Sequence, residues 1–199
     1  MQLLSSPASP FARSCRVFLL ELGLSDIAVR DVTANPMGGD DTINAANPSG
    51  KIPALVRDDG PALYDSRVIN AFLNDHGGGS MYPASAKWDV MALEANANAI
   101  MEAAVGIVYE RRLRPEELHY QPWMDAQWVK VTRSLDVIEA RSMPLLHGPL
   151  NAAQIAIGCA LGYLDFRHGD RDWRPARPAL TAWEAAFADR PAMLATKPG

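Results

Sequence analysis

Residues 5–23 of this 199-residue chain read SSPASPFARSCRVFLLELG, a loop that runs directly into a helix. Pro10 suits the first position of the helix because proline has no N–H to lose there, so Ser9 is the expected N-cap. The apolar residues that follow recur at steps of one helix face: Phe11, Cys15, Phe18 and Leu22. The stretch therefore predicts a hydroxyl at a helix N-terminus, where unpaired N–H groups and the helix dipole favour an anion.

The composition is that of an ordinary globular protein. Hydrophobic residues make up 48% of the chain, charged residues make up 21%, and the formal net charge is -4. A nucleic-acid-binding protein needs a basic face, and the short cluster Arg111, Arg112 and Arg114 is more typical of a solvated helix end. No apolar run approaches the roughly 20 residues that span a bilayer, and no secretory leader is expected. We therefore expect a cytoplasmic protein with no nucleic-acid or membrane partner.

The two cysteines, Cys15 and Cys159, both fall in apolar helical patterns. Neither has another cysteine or a histidine nearby at the spacing of metal ligands. We therefore interpret them as buried, reduced thiols, as is usual in a cytoplasmic protein, and we expect no metal site.

The first part of the chain alternates short strands and helices. The predicted strands cover residues 1–4, 27–32, 51–56 and 61–64. The predicted helices are the one after Ser9, a short one through Ala46, and one capped by Asp65 or Ser66. This order, βαβα followed by ββα, predicts a mixed α/β domain in which a hairpin at residues 58–60 adds antiparallel strands.

Beyond a glycine-rich linker at residues 77–80, every signal is helical. Asn151 and Gln154 are expected at the N-cap and N3 positions of a helix that is apolar or small on every side, as in a buried central helix. The helical patterns cover residues 85–112, with one glycine at Gly106, and then 121–141, 151–166 and 178–189. We predict domains at residues 1–77 and 86–199, joined by a linker at 78–85.

Four motifs stand in order along the chain: SPFAR at residues 9–13, NPSGKIPAL at 47–55, LYDS at 63–66, and IAIGCALGYLDFR at 155–167. On these motifs the chain resembles the cytosolic glutathione S-transferases, in particular bacterial members with a serine-type active site, nearly from end to end. The resemblance implies a thioredoxin-like, glutathione-binding N-terminal domain with a four-stranded mixed sheet and three helices. An all-α C-terminal bundle is expected to follow it.

The resemblance also implies a glutathione site on the first domain. The bond before Pro53 is expected to be cis, at a cost of only about 0.5–1 kcal/mol, so that the Ile52 main chain pairs with the cysteinyl part of glutathione. Ser66 is expected to meet the γ-glutamyl carboxylate, Asp65 the ammonium group, and Lys51 the glycyl carboxylate. The alternatives are structural: an edge-strand proline, a capped helix and a solvated lysine.

The position of Ser9 is where a related redox fold carries Cys-Pro-Phe/Tyr-Cys, and here those four residues read SPFA. Both thiols for thiol–disulfide exchange are therefore missing, and Cys15, two turns into the helix, is a poor substitute. We expect the Ser9 hydroxyl to donate to the thiolate of bound glutathione, with Ser5 and Ser6 as rival donors. No tyrosine precedes Tyr64, which excludes a tyrosine in this role. A role for Ser9 as a helix cap alone stays open.

An acceptor pocket is expected between the domains. Its predicted lining, at positions that are also typical of plain core or surface, is Phe11, Met101, Val105, Tyr109 and Arg112. The chain is thus predicted to be a glutathione transferase acting on a small hydrophobic electrophile, with glutathione as co-substrate and no permanently bound cofactor. The alternatives are a glutathione-dependent reductase or peroxidase, and a non-catalytic glutathione-binding module. We also expect a homodimer, packed through the helix after Asp65 and the first two helices of the second domain.

Overall fold

The structure is a computed structural model, and it describes residues 1–38 and 40–198. Their contacts form two compact units. Unit 1 is Met1–Lys87 together with the C-terminal residues from Pro191, and unit 2 is Trp88–Arg190. The domain and linker limits predicted from the sequence stay a prediction.

A small mixed sheet forms the centre of unit 1. Its strands are β1 (Gln2–Ser5), β2 (Ala28–Asp31) and β3 (Ala54–Val56), in the order β2-β1-β3. Strand β1 is parallel to β2 and antiparallel to β3, and its Leu3 and Leu4 side chains are fully buried. The thioredoxin-like mixed sheet is therefore confirmed, with three strands in the described residues instead of four.

The expected fourth strand, at residues 61–64, pairs through a single bridge between Leu63 and Leu55. The two residues exchange both main-chain hydrogen bonds at 2.9 Å. Pro61 has no N–H to offer a ladder, and Tyr64 leads directly into the cap of the next helix. Only the residues between them are left to pair with β3.

Three helices accompany this sheet: α1 (Pro10–Glu21), α2 (Asp41–Ala46) and α3 (Ser66–His76). Ser9 caps α1 as predicted, and α1 packs against α3. The chain leaves α1 at Gly23, whose φ of +67° is a left-handed conformation that glycine adopts without strain. Asp65, one of the two expected caps, is the N-cap of α3.

Unit 2 is helical. It contains α4 (Lys87–Leu113), α5 (Gln121–Val137), a short π-helical segment (Ile138–Ser142), α6 (Met143–Leu146), α7 (Ala152–Arg167) and α8 (Pro178–Ala188). Gly106 does not interrupt α4. Instead it makes room for an aromatic ring, because a β-carbon at Gly106 would lie 3.1 Å from Cη2 of Trp123. The all-α second part of the predicted fold is confirmed.

Helix α7 is buried along most of its length, as its apolar sequence predicts. Asn151 caps it by accepting from the Gln154 N–H at 3.1 Å. The Gln154 side chain does not complete the reciprocal half of a capping box. Its amide nitrogen lies 3.0–3.2 Å from four carbonyl oxygens of the preceding loop, those of Leu145, Leu146, Gly148 and Pro149.

The last helix, α9 (Pro191–Ala195), returns to unit 1. The buried guanidinium of Arg13 on α1 donates to the Met193 carbonyl at 3.0 Å and to the Thr196 hydroxyl at 3.3 Å. These bonds fix the C-terminal segment to the helix that Ser9 caps. Within the part of the chain that the structure describes, no helix combines the length and the apolar character needed to cross a membrane.

Candidate functional site

The hydroxyl of Ser9 lies half-buried at the N-terminus of α1. Its oxygen accepts a hydrogen bond from the Ala12 N–H at 3.2 Å. A hydroxyl has one hydrogen to donate as well as two lone pairs. In the described residues no acceptor takes that hydrogen, so Ser9 caps the helix and still has a donor to offer.

One main-chain donor stands beside this hydroxyl. Pro10 has no N–H, the Ala12 N–H is used by Ser9, and the Arg13 N–H donates to the Ser9 carbonyl at 2.9 Å. The Phe11 N–H has no hydrogen bond within the described chain. The anion site predicted at this helix end therefore reduces to two specific donors, the Ser9 hydroxyl and the Phe11 N–H, at the positive end of the helix dipole.

Two of the rival oxygen and sulfur groups, those of Ser5 and Cys15, are closed to solvent. Ser5 is 0% exposed, and its Oγ has no partner among the described residues. Cys15 is also 0% exposed, with its Sγ 3.8 Å from the Ser66 carbonyl. Ser6 is half-buried and its carbonyl accepts from the Ser9 N–H at 3.0 Å. Ser6 and Ser9 are thus the hydroxyls of this group that reach the surface.

The loop before β3 has the predicted cis bond between Ile52 and Pro53. The Ile52 main chain forms no hydrogen bond with other described residues, so its N–H and C=O are available. The buried Asn47 shapes the loop, because its amide donates to the Lys51 carbonyl at 2.8 Å and its oxygen accepts from the Ser49 N–H at 3.0 Å. The sequence predicted a turn at Asn47 but not this positioning of Lys51.

Asp65 and Ser66 stand at the N-terminus of α3. Asp65 accepts from the Arg67 N–H at 3.0 Å and also pairs with the Arg67 guanidinium at 3.0 Å. Partial burial alone would raise the pKa of the Asp65 carboxyl, but the hydrogen bonds and charge of Arg67 outweigh it and the pKa lies below its usual value. Asp65 is therefore an ionised cap, whereas Ser66 is buried. The sequence did not predict the contact with Arg67.

The residues expected to line an acceptor pocket differ widely in exposure. Phe11, in unit 1, is half-buried. The others lie on α4 in unit 2, where Met101 belongs to the core, Val105 is half-buried, and Tyr109 and Arg112 are exposed. Tyr109 and Arg112, which are nearest the C-terminal end of α4, therefore present polar groups to solvent.

On α7, Tyr163 interacts electrostatically with Arg167 of the same helix and with Tyr109 and Arg112 of α4, and the sequence analysis named neither Tyr163 nor Arg167. The Tyr163 ring is buried, and the charges of Arg167 and Arg112 act on its phenol. Burial prevails over these charges and raises the pKa of Tyr163 to about 12, so the hydroxyl keeps its proton at neutral pH. The signal that could have found them is the spacing of Tyr163 and Arg167, one helical turn apart.

A cleft of about 780 Å³ lies elsewhere in unit 2, between α4, α5 and α6. It is lined by both apolar and charged side chains, among them Leu93, Val137, Asp89, Arg133 and Arg141. None of the predicted site residues lines this cleft.

Family models match two parts of the chain. One, described as Glutathione S-transferase, N-terminal domain, matches residues 8–76, and another, described as Glutathione S-transferase, C-terminal domain, matches residues 121–186. The chain is also 32% identical to the uncharacterized GST-like protein YibF of Escherichia coli strain K12, in an alignment that covers 100% of this chain and 98% of that protein.

Solved structures of bacterial glutathione transferases are similar over the whole chain. A family member from Pseudomonas fluorescens Pf-5 with bound glutathione is 43% identical, with a TM-score of 0.96 and coverage of 100% of this chain and 98% of its own. Another structure of a family member from that strain, with bound S-(propanoic acid)-glutathione, is 42% identical, with a TM-score of 0.91 and coverage of 100% and 99%. A glutathione S-transferase from Methylobacillus flagellatus KT with glutathione bound is 34% identical, with a TM-score of 0.87 and coverage of 100% and 99%.

Proposed function

The chain belongs to the glutathione S-transferase family, and we propose that it transfers glutathione to a small hydrophobic electrophile after stabilising the glutathione thiolate at Ser9. The observation that carries this proposal is the Ser9 hydroxyl, which accepts from the Ala12 N–H and retains its own hydrogen. A hydroxyl that accepts a hydrogen bond is polarised toward donating one. The Phe11 N–H supplies a second donor for the same anion.

The energy that this step needs is modest. A free thiol has a pKa near 8.5, and lowering that pKa by about 2 units requires about 2.7 kcal/mol of preference for the thiolate. A hydrogen bond to a charged group contributes roughly 1.5–3 kcal/mol, and a helix N-terminus adds roughly 0.3–1 kcal/mol. These contributions suffice without a general base, so glutathione can react as its thiolate near neutral pH.

The rest of glutathione would lie along the loop and helix that follow. The unpaired main chain of Ile52, beside the cis Pro53, suits the cysteinyl part, as an added strand would. Asp65 would meet the ammonium group, the N-terminus of α3 at Ser66 the γ-glutamyl carboxylate, and the exposed Lys51 the glycyl carboxylate. The bacterial relatives that hold glutathione or its propanoic acid adduct support a glutathione site of this kind.

A reductase or peroxidase is the weaker candidate. That chemistry needs an accessible thiolate, and Cys15 is 0% exposed on the inner face of α1. A non-catalytic glutathione-binding module would keep the same binding groups, and turnover separates it from a transferase. The predicted lining of an acceptor pocket, Phe11 in unit 1 and Met101, Val105, Tyr109 and Arg112 in unit 2, stays a prediction.

The transferase is also proposed to be a homodimer. Exposed apolar side chains occur on each of the three helices expected to form the interface: Val68 on α3, Trp88 on α4 and Val129 on α5. Scattered exposed residues are normal, but a tryptophan that is 76% exposed is a candidate for burial in an assembly. A monomeric mass by sedimentation at micromolar concentration would contradict this assignment.

Calorimetric titration with glutathione tests the function without requiring the second substrate. We expect saturable one-to-one binding per chain and a thiol pKa in the complex that lies below the pKa of free glutathione. Turnover is then measured on aromatic halides, epoxides and unsaturated aldehydes. No binding would overturn the proposal, and binding without any turnover would favour the non-catalytic module.

A further inference from the structure

We infer that Arg13 is a positioning residue that favours the thiolate at Ser9 without touching it. Its buried positive charge belongs to the first turn of α1, and the C-terminal helix α9 holds that charge in place. The inference rests on the proposed function and adds a source of positive potential to the Ser9 hydroxyl and the Phe11 N–H. All of these residues belong to unit 1.

The main chain joins Arg13 directly to Ser9. The Arg13 N–H donates to the Ser9 carbonyl at 2.9 Å and so closes the first turn of α1. Side chains four residues apart share one face of a helix, and helical side chains lean toward the N-terminal end. The charge of Arg13 therefore belongs to the turn that carries the Ser9 hydroxyl.

The guanidinium of Arg13 is a buried cation held by neutral groups. Arg13 is 6% exposed, and its guanidinium donates to the Met193 carbonyl at 3.0 Å and to the Thr196 hydroxyl at 3.3 Å. The Thr196 hydroxyl donates its own hydrogen to the Ala192 carbonyl at 2.8 Å, which leaves its lone pairs for Arg13. Both acceptors of the guanidinium thus come from α9 and the residue that follows it, and neither is charged.

The carboxylates of unit 1 do not neutralise this charge. In the described residues, the ion pairs of this unit join other cations to Asp58, Asp59 and Asp65. The elements that pack most closely on α1 are α3, α9 and β1, and neither α9 nor β1 contains a charged residue.

The acidic residue within α3, Asp75, lies in its last turn, next to His76. That end of α3 adjoins the end of α1, because a β-carbon at Gly77 would lie 3.3 Å from Cβ of Leu22. Asp75 is therefore far from the turn of Ser9. Within the described chain, Arg13 has no ion pair of its own.

This placement of a charge is unfavourable for the protein without a ligand. A buried cation that lacks a carboxylate has lost its hydration, and a cation in the first turn of a helix faces the positive end of the dipole. An apolar side chain would fill the same space at neither cost. An anion at the start of α1 relieves both, so the thiolate proposed at Ser9 is the partner that the Arg13 charge lacks.

Two ligands that differ in the charge on sulfur test the inference. The probes are glutathione, whose thiol ionises, and S-methylglutathione, which has the same other charges and a neutral sulfur. Arg13→Met should raise the pKa of the bound glutathione thiol by about 0.5–1 unit, measured from the ultraviolet absorbance of the thiolate. Above that pKa, the affinity for glutathione relative to S-methylglutathione should fall by about 3- to 10-fold, which is the same shift expressed as binding.

Arg16→Gln is the matched control. Arg16 carries the same charge on the same helix and is half-buried, but it has no hydrogen bond or ion pair in the described part of the chain. Its variant should keep the wild-type thiol pKa and the wild-type affinity ratio. Arg13→Lys restores the charge without the planar guanidinium and should lie closer to the wild type than Arg13→Met does.

Two substitutions at Thr196 test the part assigned to α9. Thr196→Val removes the hydroxyl that accepts from Arg13 and should raise the thiol pKa by less than Arg13→Met does, whereas Thr196→Ser should match the wild type. If Arg13→Met does not fold, Arg13→Gln takes its place, because glutamine is neutral but still donates hydrogen bonds.

A thiol pKa that stays at the wild-type value when the Arg13 charge is removed would overturn the inference and leave the proposed function intact. Equal losses of affinity for glutathione and S-methylglutathione would also overturn it, since Arg13 would then serve only the shape of the site. An equal shift in Arg16→Gln would overturn it as well, because the effect would be a general field of α1. A wild-type protein that binds neither ligand would instead overturn the proposed function.

Discussion

Helices α1 and α3 of unit 1 both begin with a capping side chain, but the two caps keep different chemistry available. Ser9 accepts one hydrogen bond and still has a hydrogen to donate. Asp65 accepts from the Arg67 N–H and pairs with its guanidinium, and as an ionised carboxylate it can only accept. The neutral cap is therefore suited to an anion and the ionised cap to a cation, although both stand at the positive end of a helix.

This difference divides the proposed substrate between the two helix ends, with the thiolate at Ser9 and the ammonium group at Asp65. Capping preference alone treats serine and aspartate as nearly equivalent. The two roles can therefore be separated by substitutions that preserve a cap and change only what the side chain offers to a ligand.

The largest effect is expected for Ser9→Ala. Loss of a hydrogen bond to a charged sulfur should raise the pKa of the bound glutathione thiol by about 1–2 units and lower kcat/KM near neutral pH by about 10- to 100-fold. The thiol pKa is measured from the ultraviolet absorbance of the thiolate in the complex as the pH is raised.

Three controls separate the donor from the cap at Ser9. Ser9→Gly costs the cap only a few tenths of a kcal/mol but also removes the hydroxyl, so its thiol pKa should rise as in Ser9→Ala. Ser9→Thr keeps both functions and should resemble the wild type, as should Ser6→Ala at the rival hydroxyl. An unchanged thiol pKa in both Ser9→Ala and Ser9→Gly would leave Ser9 as a cap alone.

The next effect in size is expected at Asp65. Asp65→Asn keeps the cap but removes the charge, so the free energy of unfolding should stay nearly constant while glutathione affinity falls by about 5- to 10-fold. Asp65→Ala should show the same loss of affinity and also lose about 1 kcal/mol of stability. Wild-type affinity in Asp65→Asn, measured by calorimetry, would show that the carboxylate does not meet the ammonium group.

A smaller effect follows from the lowered pKa of Asp65. Because the folded-state pKa lies below the unfolded value near 3.8, the carboxyl contributes stability above that pH and loses it as the pH falls through the folded-state pKa. The side chain is 57% exposed, so solvent screening limits this contribution to a few tenths of a kcal/mol. The free energies of unfolding of the wild type and of Asp65→Asn should therefore converge as the pH falls below about 4. A difference between them that stays constant in that range would contradict this contribution of the Asp65 charge.

The two caps were predictable from the sequence, the first as Ser9 and the second as Asp65 or Ser66, because capping is a local property. Ser9 precedes a proline at the first helical position, and Asp65 precedes an apolar helical face, so neither prediction depended on distant contacts. The cis bond before Pro53 came from the resemblance, since no periodicity or composition specifies it.

Contacts between distant residues were not predictable in the same way. The sequence does not show that Arg13 binds the Thr196 hydroxyl, 183 residues further along the chain. It also does not show which arginines near the ends of α4 and α7 find an acidic partner, because Arg111 and Arg112 are neighbours with the same local signal. The fourth strand predicted at residues 61–64 is reduced to a single bridge between Leu63 and Leu55 for a related reason. Pairing along a sheet depends on the partner strand as well as on the intrinsic propensity of the sequence.

Arg67 contacts the Asp65 cap through both its N–H and its guanidinium. Substitution of Arg67 should give the smallest effect of this series. The Arg67 side chain is 47% exposed, and surface ion pairs of this kind contribute little, so Arg67→Gln should change the free energy of unfolding by less than about 0.5 kcal/mol. The pKa of Asp65, followed by nuclear magnetic resonance of its carboxyl carbon, should nevertheless rise toward its ordinary value. If glutathione affinity also rises, Arg67 competes with the ammonium group for Asp65. If the affinity stays constant, the Asp65 carboxylate accepts from Arg67 and from the ammonium group at the same time. The ionised cap then keeps an acceptor for the ligand, just as the Ser9 hydroxyl keeps a hydrogen to donate.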